Sequence, residues 1–249
     1  MKTLIIGDIH GTHIWESIVS ENPDVDSVIF MGDYFDSFDF SGTEQIYNFN
    51  KIINFKKESD LDVVMLLGNH DHHYLNVGET YSGYQPTLQF DINILLKENM
   101  SHLQIAHEVN GYLFSHAGIS SVWMDDVFTE DKWSKDNVVD MVNDLYRYQP
   151  NKFNFTGGGV DMYGTSVTQT PLWIRPSGLL KSNKKNKKLK DNFIQVVGHT
   201  QEECIFKSFK NSEKSMGNKY FVVDCLPSGG YAILNDVVLT PKVLTNFEK

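Results

Sequence analysis

Short apolar runs recur along the chain, and each ends abruptly in Gly or Ser followed by Asp, Asn or His. Leu4-Ile5-Ile6 leads into Gly7-Asp8, and Val28-Ile29-Phe30-Met31 leads into Gly32-Asp33. Val63 to Leu67 leads into Gly68-Asn69-His70, Tyr112-Leu113-Phe114 into Ser115-His116, and Phe193 to Val197 into Gly198-His199. Runs of about four to six apolar residues bounded by glycine have the pattern of buried strands. Other apolar positions fall at helical spacing. Ile14, Trp15 and Ile18 predict one helix; Ile46, Phe49, Ile52, Ile53 and Phe55 predict a second, across Thr43–Lys57; Ile92, Leu95 and Leu96 predict a third. Strands alternating with helices predict βαβ units and a largely parallel sheet. In such sheets the working residues lie just beyond the carboxyl ends of the strands, and all five polar tips fall there.

The later part of the chain reads differently. Ile205–Phe209, Lys219–Asp224, Tyr231–Leu234 and Val237–Leu239 are short strand candidates, and Asn235-Asp236 has the chemistry of a tight hairpin turn. They predict a second, more antiparallel sheet packed on the first. Ser134–Gln149 reads as a helix with Val138, Met141, Val142, Leu145 and Tyr148 on one face. It lies within a long insertion, Ile119–Leu180, that also holds Gly157-Gly158-Gly159, read as a flexible loop. Lys181–Lys190 carries six lysines and reads as a solvated, mobile loop. No repeat and no Pro/Gly/Ser-rich linker divides the chain. The expectation is one domain over residues 1–249, with an inserted substrate wall over about residues 119–190.

Composition narrows the function. Of 249 residues, 41% are hydrophobic and 22% charged, which excludes low-complexity disorder. The formal charge of −10 argues against a stable nucleic-acid partner. Arg147 and Arg175 are the two arginines, so the chain cannot build a rich cluster of bidentate phosphate clamps. Cys204 and Cys225 read as reduced thiols. Val63–Leu67 is about the longest apolar run, far short of the ~18 residues of a membrane span. The first run stops at Gly7-Asp8, shorter than the ~7–15 apolar residues of a secretory signal. A cytoplasmic protein with no membrane partner is expected.

The strand tips collect Asp8, His10, Asp33, Asp36, Asn69, His70, His116 and His199. Imidazole, carboxylate and carboxamide without thiolate suit Mn, Fe, Ni, Co or Zn rather than a structural cysteine-zinc site. Asp8 and His10 are two apart, which on a strand puts both on one face. One carboxylate can bridge two cations, and two cations ~3.5–4 Å apart suit phosphate ester hydrolysis. Each of these residues alone is more simply read as a polar loop group; the ordered set points to ligation.

The set also resembles a known family. Gly7-Asp8-Ile9-His10-Gly11, Gly32-Asp33-Tyr34-Phe35-Asp36, Gly68-Asn69-His70-Asp71, Ser115-His116-Ala117-Gly118 and Gly198-His199-Thr200 resemble, in order, the five motifs of calcineurin-like metallophosphoesterases. Thr200 is followed by Gln201 rather than a second histidine. That looks like the branch of serine/threonine protein phosphatases and symmetrical diadenosine tetraphosphate hydrolases. Pro171-Leu172-Trp173-Ile174-Arg175-Pro176 is similar to that branch's Leu-Trp-x-Arg-Pro stretch, and Val223-Asp224 with Gly229-Gly230 to its final hairpin.

The resemblance implies an α/β fold of two mixed sheets packed as a sandwich flanked by helices. It implies two divalent metal ions, manganese first, with iron, zinc, nickel or cobalt as alternatives. Asp8, His10 and Asp33 would hold the first metal. Asp33 would bridge, and Asn69, His116 and His199 would hold the second. His70 matches the general acid and Asp36 the carboxylate that orients it; a hydroxide between the metals would attack phosphorus in line. The chain also departs from the protein phosphatases, with Ser37 where they carry arginine and Asp71 where they carry glutamate. Arg175 is therefore the best remaining arginine for a substrate phosphate. His13, His72 and His73 read as exposed or rim residues, and Trp123, Trp133 and Trp173 as packing residues.

Three functions compete. The first is a dimetal phosphomonoesterase or serine/threonine-phosphatase-like enzyme. The second is a pyrophosphohydrolase of dinucleoside polyphosphates such as diadenosine tetraphosphate. The third is a non-catalytic scaffold, which predicts damaged ligand positions, whereas every matched position here is filled. The substrate would be a phosphorylated small molecule, a nucleotide or a phosphoprotein.

Overall fold

The computed structural model describes residues 1–75, 80–128, 133–157, 161, 163–214, 220–245 and 247. Of the Gly157–Gly159 loop, Gly158 and Gly159 lie outside the described residues. Its first sheet takes β1 (Lys2–Ile6), β2 (Ser27–Phe30), β3 (Asp62–Leu66) and β4 (Leu103–Gln104) in parallel. The hairpin of β9 (Gly230–Asn235) and β10 (Val238–Val243) joins it antiparallel to β1, giving the order β10-β9-β1-β2-β3-β4. In the second sheet β5 (Ala106–Val109) is antiparallel to β6 (Tyr112–Ser115), which runs parallel to β7 (Ile194–Val197) and then β8 (Tyr220–Val222). Both sheets are mixed.

The alternation of a strand assigns its residues to two cores. Leu4, Ile6, Val28, Phe30, Val63 and Met65 pack outward against Trp15, Ile18, Phe49, Ile52, Ile92 and Leu96. Their neighbours Ile5, Ile29, Val64 and Leu66 pack inward against Tyr112, Phe114 and Val196 of the second sheet. Each such burial stabilises by roughly 1.5–3 kcal/mol. Helices α1 (Ile14–Glu21), α2 (Gly42–Glu58), α3 (Asn69–Leu75) and α4 (Gln89–Glu98) supply the outer layer. The start of α2 is a capping box: the Ser41 hydroxyl accepts from the Glu44 amide at 3.3 Å and the Glu44 carboxylate from the Ser41 amide at 2.8 Å. Between β6 and β7 run α5 (Ser121–Val127), α6 (Val138–Tyr148), α7 (Pro176–Lys185) and α8 (Lys188–Asn192). Trp123, Trp133, Val142, Phe153 and Leu172 of this stretch form a core with Leu113 on the outer face of the second sheet. The layers are helix, sheet, sheet, helix, as expected.

Four expectations need correction. Ile205–Phe209 is not a strand but the start of α9 (Ile205–Lys214). Ile205, Ser208 and Phe209 are buried while Phe206 and Lys207 are exposed, a helical spacing that a five-residue window hides. The C-terminal hairpin does not found the second sheet; it extends the first, because β9 pairs with β1. Lys181–Lys190 is not a loop. It spans parts of α7 and α8, with Leu179, Ser182, Asn183 and Leu189 inward and most of the lysines outward. The helix expected over Ser134–Gln149 begins at Val138, and Tyr148 is exposed where Tyr146 is buried. The thiols Cys204 and Cys225 are unpaired. No described helix is long and apolar enough to cross a membrane.

Candidate metal centre

The five polar tips converge at the carboxyl ends of β1, β2, β3, β6 and β7. There the backbone turns sharply: His10, Asp33, Asp36 and His199 all adopt positive φ, between 40° and 65°. Such geometry costs about 1–3 kcal/mol per residue and clusters at functional sites. Two glycines make the convergence possible. A Cβ on Gly68 would stand 2.0 Å from Asp33 Oδ1, and one on Gly198 would stand 2.1 Å from Asp8 Oδ1.

Among the described residues three groups of three side chains bring ligand atoms within 4.8 Å of one another, and two of them share a member. One is Asp8, His10 and Asp33; the other is Asp33, His116 and His199. Backbone carbonyls set the imidazoles. His10 Nδ1 lies 2.8 Å from the Phe35 carbonyl and His116 Nδ1 2.9 Å from that of Met31. Each Nδ1–H therefore donates outward and leaves Nε2 for the centre. His116 Nε2 is 3.2 Å from Asp33 Oδ2, and His10 Nε2 is 3.7 Å from it. Asn69 Oδ1 sits 2.8 Å from both His116 Nε2 and His199 Nδ1. Asp33 Oδ1 accepts from the His70 amide, and Asp8 Oδ2 from the His199 amide, both at 2.9 Å.

The donor set fits divalent cations. Asp8 Oδ1 is buried and has no hydrogen-bond partner among the described residues. Burial, with Asp224 and Asp33 close by, pushes the Asp8 carboxyl well above the usual range. Burial and Asp33 push Asp224 up to about 7. A buried excess of carboxylate must be protonated, paired or bound to metal, and a divalent cation would let these groups ionise. Asp33 goes the other way: burial opposes its charge, but His116 and His70 outweigh it and hold the carboxyl well below its usual range. Burial lowers His199 well below the ordinary imidazole value, and His116 and Arg175 add to that, so its ring is neutral and able to ligate.

His70 stands beside this cluster on Asp36. Its Nδ1 is 2.9 Å from Asp36 Oδ2, and the Tyr74 hydroxyl donates to Asp36 Oδ1 at 2.5 Å. Burial alone would lower the His70 pKa, but Asp33 and Asp36 raise it to about 9. Arg175, expected near the substrate phosphate, lines the cleft. One of its terminal nitrogens donates to the His199 carbonyl at 2.7 Å and the Thr200 hydroxyl at 3.1 Å. Ser37, in the position of the missing arginine, instead holds a turn, its hydroxyl accepting from the Asp39 and Phe40 amides.

Sequence reasoning missed four residues here. His73 is buried, against the expectation of a rim position, and its Nε2 is 2.6 Å from Asp36 Oδ2. Its signal was available, because His70 and His73 are three apart on a helix. His72 is buried too, between the Tyr146 hydroxyl and Asn154. His13, half-buried against Glu16, does lie outside the cluster. Asp71, noted only as a departure, is fully buried and accepts from the amides of Gly68, Asp33 and Tyr34, tying two of the tips together. Asp224 completes the cleft with Gln201; Val223-Asp224 stood out only as part of a hairpin match, and its meeting with Asp8 comes only through tertiary folding. Trp173 both packs in the outer core and lines the cleft.

Residues 1–203 match the family model for calcineurin-like phosphoesterases. No curated protein matches the chain. Among solved structures, a cold-active protein-tyrosine phosphatase of a Shewanella species is similar at 19% identity with a TM-score of 0.62, covering 98% of this chain and 80% of that one. A protein serine/threonine phosphatase from Saccharomyces cerevisiae is similar at 13% identity and a TM-score of 0.54, covering 100% of this chain and 81% of that one. A metallophosphoesterase from Sphaerobacter thermophilus gives 13% identity and 0.51, covering 97% and 86%. At these identities the likeness is one of fold.

Proposed function

The chain belongs to the calcineurin-like phosphoesterase family, and on that premise we propose that it is a dimetal-dependent hydrolase of phosphate esters, of the phosphomonoesterase or serine/threonine-phosphatase-like type. The observation that carries this reading is the pair of ligand groups meeting on Asp33 beside the orphaned oxygen of Asp8. Asp8, His10 and Asp33 would hold one divalent cation, and Asn69, His116 and His199, with Asp33 shared, the other. When bound, the pair supplies Lewis acidity to the phosphoryl oxygens and an activated water. His70 gives its proton to the leaving oxygen, and Asp36 keeps that imidazole oriented and charged. Arg175 faces the cleft and binds a phosphate oxygen. The stretch between β6 and β7 acts as the substrate wall.

The test is turnover by purified protein loaded with Mn²⁺ on 4-nitrophenyl phosphate, its bis-ester, a phosphopeptide and diadenosine tetraphosphate. Monoester hydrolysis that is lost on chelation is the expected result. Turnover confined to diadenosine tetraphosphate would move the assignment to the pyrophosphohydrolases. Bound metal with no turnover of any substrate would leave the scaffold reading.

A further inference from the structure

Beside the metal cleft lies a second, open cavity of about 490 Å³, walled in part by the stretch between β6 and β7, whose occupant the reading above does not name. Its size is that of a small-molecule site. Its walls are aromatic: Trp173 meets Tyr81 with ring centroids 4.2 Å apart and Phe155 at 5.3 Å. Tyr163, 75% exposed, stands at the rim with Thr165. The wall is continuous with the catalytic groups at both ends. Tyr81 stacks on His73 at 6.1 Å, next to His70, and Trp173 meets His199 edge-on at 5.8 Å.

We infer that this cavity binds the ring of an aryl phosphate, and that the chain selects monoesters whose ester oxygen is carried directly by an aromatic ring. The inference rests on the phosphoesterase reading and names the substrate class of that same site. Aromatic rings held edge-to-face or offset gain about 0.5–1.5 kcal/mol per pair beyond simple burial, which suits a flat ring and not a flexible alkyl chain. The placement favours a ring joined directly to the phosphate. Tyr81, Ser82, Trp173, Arg175 and His199 line both this cavity and the metal cleft. The cavity therefore opens directly off the phosphate site, so a ring carried on the ester oxygen reaches the aromatic wall. The reaction is ArO–PO₃²⁻ + H₂O → ArOH + HPO₄²⁻. Water oxygen bonds to phosphorus, the bond from phosphorus to the aryl oxygen breaks, and its electron pair leaves on that oxygen. His70 protonates the departing oxygen, and the proton lost by water restores His70.

Phosphonates test the inference without a leaving group, so ester reactivity does not enter. Calorimetric affinities of the Mn²⁺-loaded protein are compared for phenylphosphonate and propylphosphonate. Phenylphosphonate should bind about tenfold tighter, the equivalent of one or two aromatic contacts. In Tyr81→Leu and in Phe155→Leu, each checked for folding by circular dichroism, the ratio should fall toward one. Equal affinities in the wild type, or a ratio untouched in both folded variants, would overturn the aryl assignment. A larger gain from adding adenosine to methylenediphosphonate than from the phenyl group would overturn it too, by making the cavity a base site. The two readings fail separately. A ratio of one with turnover of 4-nitrophenyl phosphate removes only this inference, whereas metal bound without turnover of any ester removes the phosphoesterase reading beneath it.

Discussion

Asp33 is the residue on which the candidate centre turns, since it belongs to both candidate ligand groups and its second oxygen accepts the His70 amide. Asp33→Asn should cost metal: mass-spectrometric metal counting is expected to show fewer than two ions per chain, and two retained ions would refute the bridging role. His70→Asn separates chemistry from binding. Metal content should be kept while kcat on an unactivated ester falls by about 10²–10⁴; an unchanged rate would remove His70 from the acid role. Gly68 shows how backbone serves the same end. Gly68→Ala would set a methyl 2.0 Å from Asp33 Oδ1, so metal occupancy should drop together with thermal stability. Asp8, His10, Asn69, His116 and His199 were legible because each sits at a strand tip in a local motif. Asp224 was not legible as a cleft residue, because its proximity to Asp8 exists only once β8 lies beside β7.

At the scale of elements, α1, α2 and α4 were legible from their apolar spacing, whereas α7 and α9 were not. The expected Thr43–Lys57 helix is α2, whose bounds are Gly42–Glu58. Its capping box gives a measurable handle. Ser41→Ala should lower unfolding free energy by about 1 kcal/mol in urea denaturation, with no change in metal content, because the box lies on the exposed start of the helix. Ile205–Phe209 misled because five residues rich in Ile and Phe satisfy either period, and only the pattern of burial over Ile205–Asn211 separates them. The lysine run misled for a related reason. Composition reports that the side chains are solvated, but it does not report that Leu179 and Leu189 anchor the same backbone to the core.

At the scale of the molecule, the charge of −10 acquires a location, because Asp8, Asp33, Asp71 and Asp224 are buried together near one end of the sandwich. Two divalent cations would bring the total to −6 and would reverse the local field that a phosphate meets. Stability should therefore depend on metal. Chelation is expected to lower the melting temperature, and Mn²⁺ at a hundred times its dissociation constant should restore about 2.7 kcal/mol per independent site; a melting curve indifferent to both would count against the centre. The sequence by itself determined the parallel strand-helix alternation, the family resemblance and the candidate ligands, because these are written in local periodicity and short motifs. Tertiary structure alone decided which sheet takes the C-terminal hairpin, that Asp224 meets Asp8, that His73 reaches Asp36, and that Tyr81, Phe155 and Trp173 wall a cavity beside the cleft. Those contacts join segments far apart in the chain or depend on which helix face is buried. No local window holds the distances on which they rest.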